Sequence, residues 1–162
     1  WEQYLKDYID TFGKISEEDI NDVKKIYDAI ELPKRATKDS AGYDFVTPVE
    51  ILLKPGETMK IPTGIRCSMN EGWVLKLYPR SGLGFKYRLQ LNNTVGIIDG
   101  DYFFSNNEGH IFAKITNDSN EDKIVYLEAG KGFMQGIFVL YGITLDDDAD
   151  GIRDGGFGST GV

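Results

Sequence analysis

The stretch NTVGIIDGDY, residues 93–102, joins a short apolar strand to a sharp turn. Residues 95–98 are rich in β-branched side chains, which is typical of a buried strand. The Asp-Gly-Asp run at 99–101 ends that strand with turn residues. The strand therefore carries the Asp99 carboxylate at its end, and Tyr102 follows one turn later. Taken alone, the stretch is explained most simply by a hairpin whose turn requires aspartate and glycine, so its meaning depends on the rest of the chain.

Short strand patterns separated by Pro-Gly, Thr-Gly and Glu-Gly turns extend on both sides of this stretch. They predict strands at Tyr43–Thr47, Glu50–Leu53, Thr58–Ile61, Ile65–Met69, Trp73–Tyr78, His110–Thr116, Lys123–Leu127 and Phe133–Tyr141. One short helix is predicted near Gly82–Tyr87. With 162 residues and 19 glycines, the chain is expected to form one all-β domain, either a sandwich, a jelly roll or a closed barrel.

Residues 1–31 differ from the rest and are predicted to form a helical extension. Apolar residues recur at helical spacing from Tyr4 to Phe12, and again on one face between residues 20 and 30. Between them, residues 16–19 (SEED) resemble the start of a capped helix. The simplest interpretation is a pair of amphipathic helices packed on the main domain, and a partner-binding role is the alternative.

Composition excludes several functions. The formal charge of −8 argues against a general nucleic-acid binder, which would present a broad basic surface. No apolar run is long enough to cross a membrane, and no secretory signal is present. The single cysteine, Cys67, makes no internal disulfide and fits a reducing compartment, so a cytoplasmic location is expected, while the sequence leaves the host open. The single histidine, His110, argues against a His-rich zinc site or a Ser-His-Asp triad.

Four further stretches place polar groups at strand ends or among glycines. They carry Asp44, the Arg80-Ser81 pair, Gln135, and a tail at 153–162 with one arginine, one aromatic ring and two hydroxyl groups. Each has a simple explanation of its own: a turn residue, a surface ion pair, a core amide and a disordered tail. Together they predict a ligand with several phosphates and a planar ring, and a carboxylate beside it that acts as acid or base.

The motifs AGYDF, PRSGLG, NTVGIIDGDY, GFMQGIF and RDGGFGSTG resemble, in order, the five motifs of the trimeric deoxyuridine triphosphatases, the dUTPases. The resemblance runs from about residue 32 to the end. It implies a homotrimer of distorted jelly-roll or β-barrel domains, with residues 32–145 as the β domain and 146–162 as an acidic linker and flexible arm. It also implies hydrolysis of dUTP to dUMP and pyrophosphate with Mg²⁺. Each site would combine motifs one, two and four of one chain, motif three of a second and the arm of a third.

The resemblance also implies roles for individual residues. Asp99 matches the base that activates the attacking water, and Tyr102 matches the ring beneath the deoxyribose that excludes a 2′-hydroxyl. Asp44 matches the aspartate that holds Mg²⁺ through water. The remaining matches contact substrate. The phosphate-binding group comprises Arg80, Ser81, Gly82 and Gln135. The hairpin that reads uracil contributes Asn93, Gly96, Ile97 and Ile98, and the arm contributes Arg153, Phe157, Gly158, Ser159 and Thr160. Phe157 would cap the uracil ring.

Two features depart from the family pattern. Gly132 stands where the family usually has arginine, and residues 103–108 form an insertion of about five residues, which we expect to lengthen a surface hairpin. A dCTP deaminase of the same fold is one alternative function, but its catalytic glutamate would fall on Lys114, and it lacks this type of arm. A nucleotide-sensing regulatory protein, with the helices or the insertion as its partner surface, is another. Retention of Asp99 favours catalysis and leaves open a second role in binding a protein partner.

Overall fold

A computed structural model of the chain describes residues 1–156, so the predicted arm residues Phe157, Gly158, Ser159 and Thr160 lie outside the described residues. Within that range the fold is mostly β-sheet with three α-helices. The helices are α1 (Glu2–Phe12), α2 (Glu17–Asp28) and α3 (Ser81–Tyr87). The strands are β1 (Lys34–Arg35), β2 (Tyr43–Val46), β3 (Ile51–Leu53), β4 (Thr58–Pro62), β5 (Trp73–Pro79), β6 (Leu89–Leu91), β7 (Gly96–Ile98), β8 (Phe112–Asn117), β9 (Val125–Leu127) and β10 (Gly132–Leu140).

The two N-terminal helices form as the sequence predicts. The Ser16 hydroxyl accepts a hydrogen bond from the Asp19 N–H, and the Asp19 carboxylate accepts one from the Ser16 N–H, which is a reciprocal capping box. Tyr4 of α1 and Val23 of α2 are buried, and α1 packs against β4. The helical extension is therefore docked on the β domain through its apolar faces.

Three antiparallel sheets make up the β domain. The largest has the strand order β1-β2-β10-β5-β7, and the others are β4-β8-β6 and β3-β9. Strand β10 lies between β2 and β5, so that Gln135 is registered with Asp44 on one side and with Tyr78 on the other. Across residues 1–156 these sheets do not close into a barrel, so the closed-barrel expectation is not met. No helix within the described range is long and apolar enough to cross a membrane.

One predicted strand is wrong, because residues 65–69 adopt no regular strand. The Ile65 N–H donates to the Thr63 hydroxyl, and that hydroxyl donates to the Ile111 carbonyl. Gly64, with a φ of 72°, turns the chain between them. The Ile65 N–H is thus paired with a side chain, while the Ile65 carbonyl accepts a backbone hydrogen bond of 2.8 Å from the Ile111 N–H, and the pairing does not continue as a regular strand.

The insertion also differs from the expected hairpin. Residues Gly100–Phe104 form a 3₁₀-helix, which is followed by a turn that reaches Gly109. Gly109 has a φ of 70°, and a side chain there would lie only 2.6 Å from the Phe103 backbone. The segment is therefore folded tightly against itself beside Tyr102.

Residues from all three sheets fill a shared core. Phe133 and Met134 of β10 are fully buried there with Leu75 and Leu77 of β5. Each such side chain contributes roughly 1.5–3 kcal/mol when fully buried. This packing holds β5 and β10 rigidly beside β7, whose end carries Asp99.

Candidate functional site

The predicted residues of motif three surround a cavity of about 320 Å³ at the end of β7. The same cavity is lined by the first part of the arm. Its predicted lining residues are Asn93, Gly96, Ile97, Ile98, Asp99, Tyr102 and Arg153. The structure therefore brings six residues of motif three together with Arg153 from the arm of the same chain, whereas the resemblance implies that each site takes its arm from a third chain.

Gly96 has a packing role in the wall of this cavity. It is registered with Leu77 across the β7–β5 pair. A Cβ atom at position 96 would lie 2.9 Å from the Leu77 Cβ, which is closer than packed carbons approach. The absence of a side chain at Gly96 therefore lets Leu77 pack against this part of β7 beside the cavity.

The Asp99 carboxylate lies at the edge of the cavity in contact with the arm. Arg153 donates one hydrogen bond to the Asp99 carboxylate and a second, 2.7 Å long, to Asp101. The Arg153 side chain is only 19% exposed, whereas that of Asp99 is 45% exposed. A mostly buried guanidinium therefore holds two carboxylates, one of which remains open to the cavity.

Tyr102 forms a fixed wall of the same cavity. Its hydroxyl donates to the His110 carbonyl over 2.6 Å and accepts from the Asn107 amide over 2.8 Å. Burial raises the Tyr102 pKa, and the Asn107 hydrogen bond partly opposes that rise. Gly156 lies so close to the ring that a Cβ there would be 2.5 Å from ring carbon Cε2. The ring is therefore neutral and held in place, which suits steric selection rather than proton transfer.

The predicted phosphate and metal residues form a second group. The Arg80 Nε atom lies 3.4 Å from the Asp44 carboxylate, and both side chains are partly exposed, so the pair adds little stability. The Gln135 amide donates to the Pro79 carbonyl over 3.4 Å. Arg80 also shares a cavity wall with Ser81 and with the remaining predicted residue of this group, Gly82.

Gly132 makes room for Arg80. A Cβ atom at position 132 would lie 2.5 Å from the Arg80 Nη1 atom. The guanidinium of Arg80 thus occupies the space beside Gly132, the position at which the resemblance implies an arginine. Gly42 of the AGYDF motif acts similarly, since a Cβ there would lie 2.5 Å from the Gln135 amide oxygen.

The two groups of residues lie on opposite faces of the five-stranded sheet. Side chains alternate along a strand, so Met134, which lines the first cavity, points away from its neighbour Gln135. Leu77 and Tyr78 alternate in the same way on β5. Among the described residues, none lines both the Asp99 cavity and the cavities beside Arg80. The described part of one chain therefore does not bring Arg80 next to Asp99.

Sequence reasoning missed a polar pair behind Tyr102. The Asp7 carboxylate of α1 and the His110 ring are both buried and lie in contact. The available signal was a carboxylate on the apolar face of a helix, beside the buried Tyr4. The described residues contain no cluster of three or more acidic, histidine or cysteine side chains suited to a metal ion.

Comparison with known proteins places this geometry in a family. A dUTPase family model matches residues 28–161. The deoxyuridine 5'-triphosphate nucleotidohydrolase of Lactococcus lactis is 42% identical over 137 residues, which cover 82% of this chain and 89% of the relative. The crystal structure of the dUTPase from Streptococcus mutans is 43% identical with a TM-score of 0.62, covering 70% of this chain and 88% of that chain.

A more distant structure has a nucleotide analogue. The dUTPase of Staphylococcus bacteriophage 80alpha, solved with dUPNHPP, is 26% identical with a TM-score of 0.59, covering 82% of this chain and 93% of that chain. It is one of the phage dUTPases that control transfer of virulence genes. The fold is thus that of the solved dUTPases. The chain belongs to the dUTPase family.

Proposed function

We propose that the protein hydrolyses dUTP to dUMP and pyrophosphate, with Asp99 as the general base. The observation that carries this proposal is the cavity of the family's third motif, where the partly exposed Asp99 carboxylate faces a space walled by the fixed Tyr102 ring. The L. lactis relative is named a deoxyuridine 5'-triphosphate nucleotidohydrolase.

Hydrolysis requires one proton transfer and one bond exchange. Asp99 accepts a proton from water, whose oxygen attacks the α-phosphorus, and the bond from that phosphorus to the bridging oxygen breaks to release pyrophosphate. Such general-base assistance typically contributes about 10²–10⁴-fold in rate. Arg153, which donates a hydrogen bond to the Asp99 carboxylate, would bind the negatively charged triphosphate through its guanidinium.

Recognition of the nucleoside is assigned to the same cavity. Asn93 and the backbone of residues 96–98 would contact uracil. Tyr102 would lie beneath the deoxyribose, where its fixed ring leaves no room for a 2′-hydroxyl. Phe157, outside the described residues, would cap the uracil, and Gly158, Ser159 and Thr160 would close with it over the phosphates.

A homotrimer of distorted jelly-roll domains would complete the site. The predicted phosphate-binding residues Arg80 and Gln135 lie on the sheet face opposite Met134 and the Asp99 cavity. A second chain can therefore supply the half of the active site that one chain lacks. Phe85 beside Arg80 and Phe104 in the insertion are 94% and 80% exposed, which supports their burial in an assembly. We also propose a cytoplasmic location, which the single free Cys67 supports.

Magnesium fits this site as an ion carried by the nucleotide. Asp44 is partly exposed and lies beside Arg80. Mg²⁺ is commonly held by one or two carboxylates together with substrate phosphates and water, so Asp44 can hold the ion through water. The bound ion would offset negative charge on the triphosphate.

The dCTP deaminase alternative is disfavoured by Lys114. This residue lies three positions before Asn117, the last residue of β8, and it lines the Asp99 cavity. An ammonium group cannot take the role of the carboxylate expected there. A regulatory role through a protein partner remains the second proposal from the sequence, and no described contact favours it over hydrolysis.

Product analysis tests the proposed reaction. The purified protein would be incubated with Mg²⁺ and either dUTP, dCTP or dTTP, and products separated by ion-exchange chromatography. We expect dUMP and pyrophosphate in equal amounts from dUTP, and much slower turnover of dCTP and dTTP. Release of ammonia from dCTP, or no reaction with dUTP, would contradict the proposal.

A further inference from the structure

A buried polar contact joins helix α1 to the β domain. The Asp7 Oδ2 atom lies 2.5 Å from the His110 Nδ1 atom, and the two residues are only 8% and 6% exposed. The other carboxylate oxygen of Asp7 accepts a hydrogen bond of 3.0 Å from the Gln3 amide. Buried polar groups of this kind are costly unless they are fully paired, so the contact specifies where α1 docks.

The His110 ring is fixed by hydrogen bonds at both nitrogens. The Gly64 N–H donates to Nε2 over 2.8 Å, so Nε2 carries no proton and Nδ1 is the donor to Asp7. Burial lowers the His110 pKa, against the opposing effect of Asp7, which keeps the ring neutral. Phe112 packs against the ring with a centroid distance of 4.6 Å. The ring orientation is therefore set by α1 on one side and by the segment after β4 on the other.

The backbone of His110 in turn fixes Tyr102. The carbonyl oxygen of His110 accepts the Tyr102 hydroxyl hydrogen bond, and Asn107 reinforces both groups through its amide. The Tyr102 ring lines the Asp99 cavity on its other side. A series of hydrogen bonds that passes through the ring and the backbone carbonyl of His110 thus links Asp7 in the helical extension to the cavity wall.

We propose that Asp7 is a positioning residue that sets the discrimination of the enzyme between deoxyribose and ribose nucleotides. It acts by holding His110, whose carbonyl holds the Tyr102 ring. This inference rests on the proposed function, in which Tyr102 lies beneath the sugar. Exclusion of a 2′-hydroxyl depends on the ring position within a fraction of an ångström, and small displacements at a site have large kinetic effects.

The effect should fall on selectivity more than on turnover. The described contacts of Asp99 involve Arg153 and not the Asp7–His110 pair. We therefore expect kcat with dUTP to change little in Asp7→Ala. The ratio of kcat/KM for dUTP to that for UTP should fall about 2- to 30-fold, the range of effects typical of residues that act through intermediates.

Three variants of the full chain separate positioning from stability. Asp7→Ala removes the acceptor, whereas Asp7→Asn keeps an oxygen that can accept from His110 Nδ1. Val23→Ala, at a buried position of α2 that is 3% exposed, destabilises the same helical extension without touching the hydrogen-bond series. The measurements are the dUTP/UTP selectivity ratio and amide hydrogen exchange over residues 100–110.

The expected result is lower selectivity and faster exchange in Asp7→Ala, substantial rescue in Asp7→Asn, and wild-type values in Val23→Ala. Equal effects in Asp7→Ala and Val23→Ala, or no change in either measurement, would overturn the proposal. Should Asp7→Ala fail to fold, Asp7→Glu replaces it, since one extra methylene displaces the carboxylate from His110. Hydrogen exchange detects the link between Asp7 and Tyr102 even if the protein does not hydrolyse dUTP. Absence of dUTP hydrolysis by the wild-type protein would instead contradict the proposed function.

Discussion

Arg153 of the C-terminal arm donates a hydrogen bond to the carboxylate of Asp99 within the same chain. The arginine therefore lies on the residue that the proposed reaction uses as a base, and a second hydrogen bond to Asp101 holds it there. A guanidinium binds phosphate oxygens as readily as carboxylates. Binding of a triphosphate would draw Arg153 away and leave Asp99 with the attacking water.

Asp99→Asn should abolish most turnover while preserving nucleotide binding. An amide retains the size of the carboxylate but cannot accept the proton of water, so kcat should fall about 10²–10⁴-fold. Steady-state kinetics with dUTP and calorimetric titration with a non-hydrolysable analogue provide the two measurements. Asp101→Asn is the matched control, since it removes the other partner of Arg153 and should retain most activity. Near-normal kcat in Asp99→Asn would refute the assigned role.

Deletion of residues 153–162 should leave the β domain folded but cripple hydrolysis. Most of the buried core lies before this segment, while Arg153 and Phe157 are assigned to phosphate and uracil. In the full-length chain, Phe157→Trp should give a larger fluorescence change with a dUTP analogue than with dUMP, because only the triphosphate offers a γ-phosphate to the arm. A truncated protein as active as the whole, or equal fluorescence responses, would show that the arm does not close the site.

Gly132→Ala should weaken binding of dUTP with little loss of stability. The new methyl group would displace the Arg80 guanidinium, which is the flexible end of its side chain and can move away at low cost to folding. Loss of one charge-assisted hydrogen bond to phosphate costs about 1.5–3 kcal/mol. Because about 1.4 kcal/mol corresponds to a factor of ten in affinity, KM should rise about tenfold or more. Gly142→Ala is the control, because a Cβ at Gly142 meets no atom within 4 Å. An unchanged KM in Gly132→Ala would show that Arg80 tolerates the displacement.

Stability should fall as the pH is lowered from 7.5 to 5.5, partly through His110. Burial lowers the pKa of His110 in the folded state below its ordinary 6.5, with Lys60 acting in the same direction and Asp7 against it. Below pH 6.5 the unfolded chain binds a proton that the folded chain does not, so the free energy of unfolding declines by at most about 1.4 kcal/mol per pH unit from this group. Urea unfolding at both pH values should give a smaller pH difference for His110→Asn than for the wild type. Equal differences would contradict the assignment.

Local patterns predicted most of the secondary structure. Short apolar runs between turn signals correctly indicated the long strands β5 and β10, and the Ser16 capping box correctly indicated the start of α2. The predicted strand at 65–69 did not form, and at its first residue the Thr63 hydroxyl takes the Ile65 N–H that a neighbouring strand would otherwise bind. Periodicity records which side chains are apolar, and it does not record such competition.

The candidate site was predictable where its chemistry lies within one motif. Asp99 and Tyr102 follow directly from the end of β7. By contrast, Asp7 and His110 are 103 residues apart in the chain, and no local pattern links them. The position of the Arg80 side chain beside Gly132 likewise depends on the pairing of strands that are distant in sequence.

In the proposed assembly, one active site combines the Arg80 group of one chain with the Asp99 cavity of another. Complementation between two inactive variants tests it directly. Arg80→Ala and Asp99→Asn chains with different tags would be co-expressed, and the mixed oligomers purified through both tags. Arg80→Ala mixed with Gln135→Ala is the control, because both substitutions damage the same group of residues.

The decisive measurement is the rate of dUTP hydrolysis by these mixed oligomers. Each trimer that carries both tags has two chains of one variant and one of the other. If sites form between neighbouring chains, one of its three sites will contain both an intact Arg80 and an intact Asp99, and activity should rise far above that of either parent. The control mixture should show no such gain. Mixed Arg80→Ala and Asp99→Asn oligomers that are as inactive as their parents would contradict a site shared between chains.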